Sequence, residues 1–237
     1  AVAELERCRN AGLRGAMICQ NPPEDLPFSS DHYDRFWAAA QDLEMPVSLH
    51  ILTGHGYMQK AHLRHGTEHY RSSVNIKIGE VMNSLFDLIF YQALDRFPRL
   101  KIVIAEAEVG WIPFWLAEMD KMSRRQSTAL KPSDYFYRQC YSTFTEDEVG
   151  GRLLQWYGQD NFMWSTDYPH VGTGDIWLFS DEVIERTLGH LDADVRAKAV
   201  RETVAKLYGK ACPAALPEPK PDPALEEWRQ SRTLARA

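Results

Sequence analysis

Three acid or base side chains follow short apolar segments of this chain. His50, Glu106 and Asp167 each stand at the end of such a segment and precede a polar stretch. A neutral imidazole and carboxylates are ligands that a divalent ion takes, and a carboxylate can also act as a base toward a metal-bound water. A lone strand-end aspartate often only caps the next helix, and a lone histidine is usually a satisfied polar residue. The repeated placement of all three favours one shared site.

The segments around these residues alternate between short apolar runs, which indicate buried strands, and apolar positions at helical spacing. We predict five strands, at Leu13–Ile18, Val47–Ile51, Leu100–Ala105, Tyr141–Phe144 and Phe162–Ser165. We predict helices at Ala1–Asn10, Asp31–Leu43, Val81–Asp95, Trp111–Arg125, Glu146–Tyr157 and Asp192–Tyr208.

This alternation predicts an α/β fold with a parallel sheet covered by helices. An open doubly wound sheet and a (β/α)8 barrel both have this pattern, and in both the carboxyl ends of the strands carry the chemistry. Neither of the glycine-rich patterns GxGxxG and GxxxxGK[ST] follows a predicted strand. The nucleotide-binding versions of these folds therefore lack their usual signature.

Composition and charge narrow the class of function. The chain has 33 acidic and 27 basic residues and a formal charge of −6, which argues against nucleic acid as a partner because phosphate binding needs a basic surface. No apolar run approaches the roughly 18 to 20 residues of a membrane span. The four cysteines form no CxxC pair, so we expect a reduced, cytoplasmic setting.

The composition changes at Cys212, where a proline-rich stretch typical of extended chain begins. We therefore divide the chain into a folded part, residues 1–211, and a Pro-rich tail, residues 212–237, in which Ala224–Leu234 is a candidate helix. The tail carries apolar residues, among them Trp228. We expect it to cross a neighbouring subunit and bury Trp228, which predicts a homo-oligomer.

The segment Trp164-Ser165-Thr166-Asp167-Tyr168-Pro169-His170 resembles the strand-8 signature of the amidohydrolase-2 family, in the branch that includes aminocarboxymuconate-semialdehyde decarboxylase. Three further segments resemble earlier strands of that family, in order: Gly12–Ile18 is similar to strand 4, Pro46–His50 to strand 5, and Phe97–Glu106 with Gly110–Phe114 to strand 6. The likeness runs from Glu4 to about Gly209. It implies that residues 1–211 are the C-terminal part of a metal-dependent (β/α)8 barrel, a partial TIM barrel with strands 4 to 8 present and strands 1 to 3 missing.

The resemblance also implies a role for individual residues. His50 becomes the metal ligand of strand 5, and Asp167 becomes the ligand of strand 8 that positions or deprotonates a metal-bound water. His170 lies beside Asp167, where it supports that ligand or contacts substrate, unless it is only a hydrogen-bonding loop residue. The implied cofactor is a divalent metal ion, zinc or manganese.

Two departures from the family pattern bear on function. The His-x-His or Glu-x-His pair of strand 1 is absent, since no two of the eight histidines are two residues apart. We expect the missing barrel segment to lie upstream or in another chain. The decarboxylase branch has a histidine at the end of strand 6, where this chain has Glu106.

A carboxylate at this point suits general-base hydrolysis. We therefore expect a metal-dependent hydrolase that uses a metal-activated water on a small carbonyl-type substrate, with Asp167, Glu106 and His170 as the catalytic residues. Two alternatives stay open: a metal-dependent non-oxidative decarboxylase of the same family, and an inactive binding or scaffold fragment.

A rival motif lies in the long polar stretch after the second predicted strand. The segment His65-Gly66-Thr67-Glu68-His69 has the H-x-x-E-H form of an inverted zinc peptidase. Gly66 weakens the helix that this motif needs, and the apolar periodicity of a peptidase fold is lacking around it. We favour a polar loop over the mouth of the barrel, with His55 and His62 in the same loop.

Overall fold

The computed structural model of the chain describes residues 1–54, 75, 77–124, 128–170, 176–211 and 223–236. These residues contain one five-stranded sheet whose spatial order is the chain order. Every strand runs parallel to its neighbours. The strands are β1 (Ala16–Cys19), β2 (Val47–His50), β3 (Ile102–Ala105), β4 (Cys140–Phe144) and β5 (Phe162–Trp164).

Helices fill the connections between these strands, as the βα alternation predicts. Those up to β3 are α1 (Val2–Asn10), a 3-10 turn (Asp31–Tyr33), α2 (Asp34–Asp42), α3 (Lys77–Phe90) and α4 (Ala93–Arg96). Those between β3 and β5 are α5 (Ile112–Ser123), α6 (Pro132–Gln139) and α7 (Glu148–Leu153). After β5 come a 3-10 turn (Ile176–Phe179), α8 (Ser180–Leu188), α9 (Ala193–Ala197), a π-helical segment (Lys198–Glu202), α10 (Thr203–Leu207) and α11 (Pro223–Arg236).

The core lies between the helices and one face of the sheet. Along β2, Val47 and Leu49 are fully buried in this core, whereas Ser48 and His50 are only half-buried. Successive side chains of a strand point to opposite faces, so Ser48 and His50 share the other face. The register that aligns Cys19 with His50 on β1 and β2, and His50 with Ala105 on β2 and β3, brings the carboxyl ends of the strands to one edge.

The five predicted strands are present, and their order in the sheet follows their order in the chain. The first begins at Ala16 instead of Leu13 because the preceding residues complete the end of α1. Gly12 takes a positive φ of 92° there, as a helix-terminating glycine does. Within the described residues β1 and β5 are the two edges of an open sheet.

One helix prediction needs correction, and two helices were not predicted. The helix predicted at Val81–Asp95 is divided between α3 and α4, because Gln92 adopts a left-handed backbone with φ 66°. The helices α6 and α8 were not predicted. Both are short, so each presents only a few buried apolar residues, too few for helical periodicity to be read from the sequence.

Among the helices that the structure describes, none combines the length and the apolar character that crossing a membrane requires.

Candidate active site

His50 is the last residue of β2, and its ring makes one contact from each nitrogen. Nδ1 lies 2.8 Å from the carbonyl oxygen of Ile51. A carbonyl only accepts hydrogen bonds, so Nδ1 carries the proton and Nε2 is left for a partner. This is the arrangement of a metal-binding histidine, whose second nitrogen fixes the ring and the tautomer.

Glu106 provides that partner. Its Oε1 lies 2.7 Å from His50 Nε2, so one proton must lie between these two atoms. Glu106 follows β3 directly and has a left-handed backbone, with φ 65°, a conformation that costs free energy in a residue other than glycine. Its backbone N–H donates to Thr143 Oγ1 on β4 at 2.9 Å, which supplies an acceptor for an amide where the chain leaves the sheet.

Asp167 reaches the same point from β5. It too has a positive φ, 57°, and its side chain lies close enough to the Glu106 carboxyl to interact with it although β4 lies between their strands. Burial is the main cause that raises the pKa of the Glu106 carboxyl, and the Asp167 carboxylate raises it further, while His50 opposes both. A proton shared between two close carboxyl groups is the expected state of such a pair.

His170 lies beside Asp167 but outside this contact. Its Nδ1 is 3.9 Å from Asp167 Oδ2, which is too long for a hydrogen bond. The backbone closes a turn here, since the His170 N–H donates to the Asp167 carbonyl at 2.8 Å. The imidazole is 67% exposed. The structure thus brings His50, Glu106 and Asp167 together and leaves His170 at the rim. The metal-ligand roles of His50 and Asp167 and the catalytic roles of Asp167, Glu106 and His170 remain predictions.

Polar residues that the sequence analysis did not identify support the His50 end of the site. Thr53 Oγ1 donates to the His50 carbonyl at 2.6 Å and accepts from the Gln20 N–H at 2.7 Å. The Gln20 side chain donates in turn to the carbonyl of Lys77 at 3.0 Å, so the start of α3 is tied to the ends of β1 and β2. Gln20 and Thr53 both follow strand ends closely, and this position is the signal that could have identified them.

Glu108 lies two residues after Glu106, but its carboxylate is held elsewhere. Its carboxylate pairs with Lys77 Nζ at 3.0 Å and accepts from the N–H and hydroxyl of Thr145 at 3.1 and 3.2 Å. These partners draw the Glu108 carboxylate toward Lys77 and Thr145, and none of them belongs to the contact between His50, Glu106 and Asp167. Glu108 therefore has a structural function in this arrangement.

The residues suit a divalent ion in kind, but they do not complete its coordination. His50 Nε2 and the Asp167 carboxylate are ligands that zinc and manganese accept. Within the described part of the chain, no group of three or more His, Cys, Asp or Glu side chains is placed so as to hold a metal ion. The rival motif around His65 and His69 lies outside the described residues.

The sequence profile of the Amidohydrolase family matches residues 1–210, and the chain belongs to this family. The resemblance stated from the sequence is thereby confirmed. The chain is 27% identical over 186 residues to Decarboxylase orsB of Emericella nidulans, a match that covers 71% of this chain and 54% of that protein.

Two solved structures show the same fold. The 5-carboxyvanillate decarboxylase LigW from Sphingomonas paucimobilis superposes with a TM-score of 0.72 at 25% identity, covering 89% of this chain and 63% of that one. A dihydroxybenzoic acid decarboxylase from Polaromonas, with bound manganese and the inhibitor 2-nitroresorcinol, has a TM-score of 0.66 at 22% identity and coverages of 88% and 65%. The chain thus spans about half the length of the curated relative and under two thirds of these two structures.

Proposed function

We propose that this protein is a metal-dependent, non-oxidative decarboxylase that acts on a small aromatic carboxylic acid. One observation carries the proposal: the contact between His50, Glu106 and Asp167 lies at the strand ends of a chain that is similar to several decarboxylases. This is the reaction that the sequence analysis placed second. Hydrolysis becomes the second candidate, and what favours it is Glu106 itself, a carboxylate where the decarboxylase branch has histidine.

In this proposal His50 and Asp167 hold one divalent ion. Manganese is favoured because a similar decarboxylase structure contains it. When bound, such an ion supplies a Lewis acid that anchors and polarises an oxygen of the substrate. The Ile51 carbonyl fixes the Nδ1–H tautomer of His50, so Nε2, which contacts Glu106 in this structure, is the nitrogen that would bind the ion.

The remaining ligands must come from outside the described residues. We propose that residues 1–211 are strands 4 to 8 of a (β/α)8 barrel, and that three further strands, upstream or in another chain, pack between β1 and β5. Met17 on β1 is 65% exposed, which is unusual for an apolar strand residue and supports a missing neighbour, since stable proteins protect the edges of their sheets.

Loss of CO2 breaks the bond between the substrate carbon and its carboxylate, and the carbon keeps the electron pair and takes up a proton. Asp167 is the proposed donor of this proton, because it stands at the mouth beside the exposed His170. Glu106 is the proposed proton store: its raised pKa favours the neutral form, and we propose that its proton passes to Asp167 and from there to the substrate carbon. We propose that His170, which is exposed at the rim, contacts the substrate.

The test is an assay of the protein, expressed at its full natural length, with manganese and a panel of hydroxybenzoic acids. We expect release of CO2 and formation of the corresponding phenol, both abolished by a chelator and restored by Mn²⁺. A matched panel of amides, esters and lactones tests hydrolysis. Turnover of that second panel alone would contradict the proposal, and no turnover of either panel with metal bound would favour the inactive binding or scaffold fragment. Zinc as the metal, the cytoplasmic setting and the homo-oligomer remain predictions.

A further inference from the structure

The backbone hydrogen bonds of the turn that carries Asp167 are local. The Asp167 N–H donates to Ser165 Oγ at 3.2 Å, the Tyr168 N–H donates to Thr166 Oγ1 at 3.3 Å, and the His170 N–H donates to the Asp167 carbonyl at 2.8 Å. The side chain of Tyr168 is 69% exposed. Such bonds fix the shape of the turn, but they do not fix where the turn lies relative to the rest of the site.

Trp177, seven residues after His170, contacts this turn at two points. Its indole Nε1 donates to the His170 carbonyl at 3.3 Å. Its ring meets the ring of Tyr168 edge to face, with centroids 5.2 Å apart and an interplanar angle of 86°. Both contacts reach residues that follow Asp167 closely, so they limit its movement away from Glu106.

Trp177 is itself packed against the C-terminal helix α11. The ring of Trp228 lies over it, with centroids 4.9 Å apart and an interplanar angle of 48°. The next residue anchors the helix: Arg229 lies over the ring of Phe179 at 5.6 Å and within 3.7 Å of a Glu182 oxygen. Trp228 thus has a partner in its own chain.

We infer that Trp177 and Trp228 are positioning residues, through which the C-terminal helix holds the Asp167–His170 turn against Glu106. Aromatic pairs at these distances contribute orientation as well as buried area. The importance of this support for catalysis rests on the proposed function. The support itself is a property of the fold and can be measured without metal or substrate.

The first experiment is amide hydrogen exchange on the intact protein, comparing Trp228→Ala with Trp228→Phe. Removing the ring should speed exchange in residues 166–170 by about tenfold or more. Local opening of the turn then costs less free energy, because the aromatic contacts no longer have to be broken. Phenylalanine keeps a ring at this position and should restore most of the protection. Exchange in residues 102–106 should stay unchanged in both variants.

Trp156→Ala is the matched control, since Trp156 is 66% exposed on another part of the surface. Unchanged exchange in residues 166–170 of Trp228→Ala would overturn the inference, and so would an equal acceleration in the control. If Trp228→Ala fails to fold, Trp177→Phe serves instead: it keeps a ring but loses the N–H donor, and it should speed exchange at His170 without changing residues 102–106.

A second readout links the support to the metal. In Trp228→Ala the affinity for Mn²⁺ should fall by about tenfold, the lower end of the range for residues that orient a ligand, while Trp228→Phe should recover it. A shift in exchange together with no decarboxylation in any variant or in the wild type would contradict the proposed function and leave the positioning role intact.

Discussion

The two sides of the candidate site are held in different ways. On the β2–β4 side, His50 and Glu106 are fixed by hydrogen bonds from neighbouring strand ends, through Thr53 and Thr143. On the β5 side, Asp167 lies in a turn whose support from outside comes from the indole of Trp177.

Both sides place a charged group in a left-handed backbone conformation, at Glu106 and Asp167. Such a conformation persists only where the surroundings enforce it. The left-handed backbone is thus supported by the sheet at Glu106 and by the C-terminal part of the chain at Asp167. The sheet side should therefore respond to small changes in hydrogen bonding, and the β5 side should respond to changes far along the sequence.

The largest expected effect comes from Asp167, where the two sides meet. Asp167→Asn keeps the shape of the side chain but removes a negative ligand and the proposed proton donor. We predict a fall in kcat of about 10²-fold or more, the usual scale for an acid-base group, measured as CO2 release at saturating Mn²⁺. Tyr168→Phe is a suitable control, since it changes the next residue and keeps its ring. A kcat within threefold of wild type in Asp167→Asn would remove Asp167 from the chemistry.

A smaller effect is expected from Thr143, which acts on the sheet side through the backbone of Glu106. Thr143→Val has nearly the same shape but leaves the Glu106 N–H without its acceptor. We predict about tenfold lower kcat with little change in KM, because the carboxyl group is misplaced while the substrate contacts remain. Thr143→Ser should recover most of the activity. Equal losses in both variants would show that packing, and not the hydroxyl, matters here.

The smallest effect is expected from Glu106→Gln, and it separates the two candidate reactions. Glutamine resembles the protonated carboxyl group, which the raised pKa of Glu106 favours. For decarboxylation we predict a kcat within about tenfold of wild type. For hydrolysis with Glu106 as general base, the loss should be about 10²-fold or more. Glu106→His provides a further comparison, since an imidazole at this point should keep decarboxylation active.

The order of the strands and the proximity of His50, Glu106 and Asp167 could be predicted from the sequence. Both follow from one regularity: apolar runs form parallel strands, and the residues that end them meet at one edge. The supporting residues were not predictable in this way. Whether Thr143 meets Glu106 depends on the register of β3 and β4, and the pairing of Trp177 with Trp228 depends on where the C-terminal helix packs, which hydrophobic periodicity does not encode.

The C-terminal tail is a second place where the sequence did not determine which residues are in contact. The sequence predicted that Trp228 is buried against a neighbouring subunit, and it did not encode a contact within the same chain. The structure shows a contact with Trp177 of the same chain, and the homo-oligomer stays a prediction.

The central claim, that His50 and Asp167 hold one divalent ion, is tested most directly by titration with Mn²⁺ followed by electron paramagnetic resonance. The protein at its full natural length should bind one Mn²⁺ per chain at this site. His50→Gln and Asp167→Asn should each weaken that binding by about 10-fold or more, while His170→Gln, on the exposed rim, should change it little. Unaltered Mn²⁺ affinity in both His50→Gln and Asp167→Asn would contradict the account.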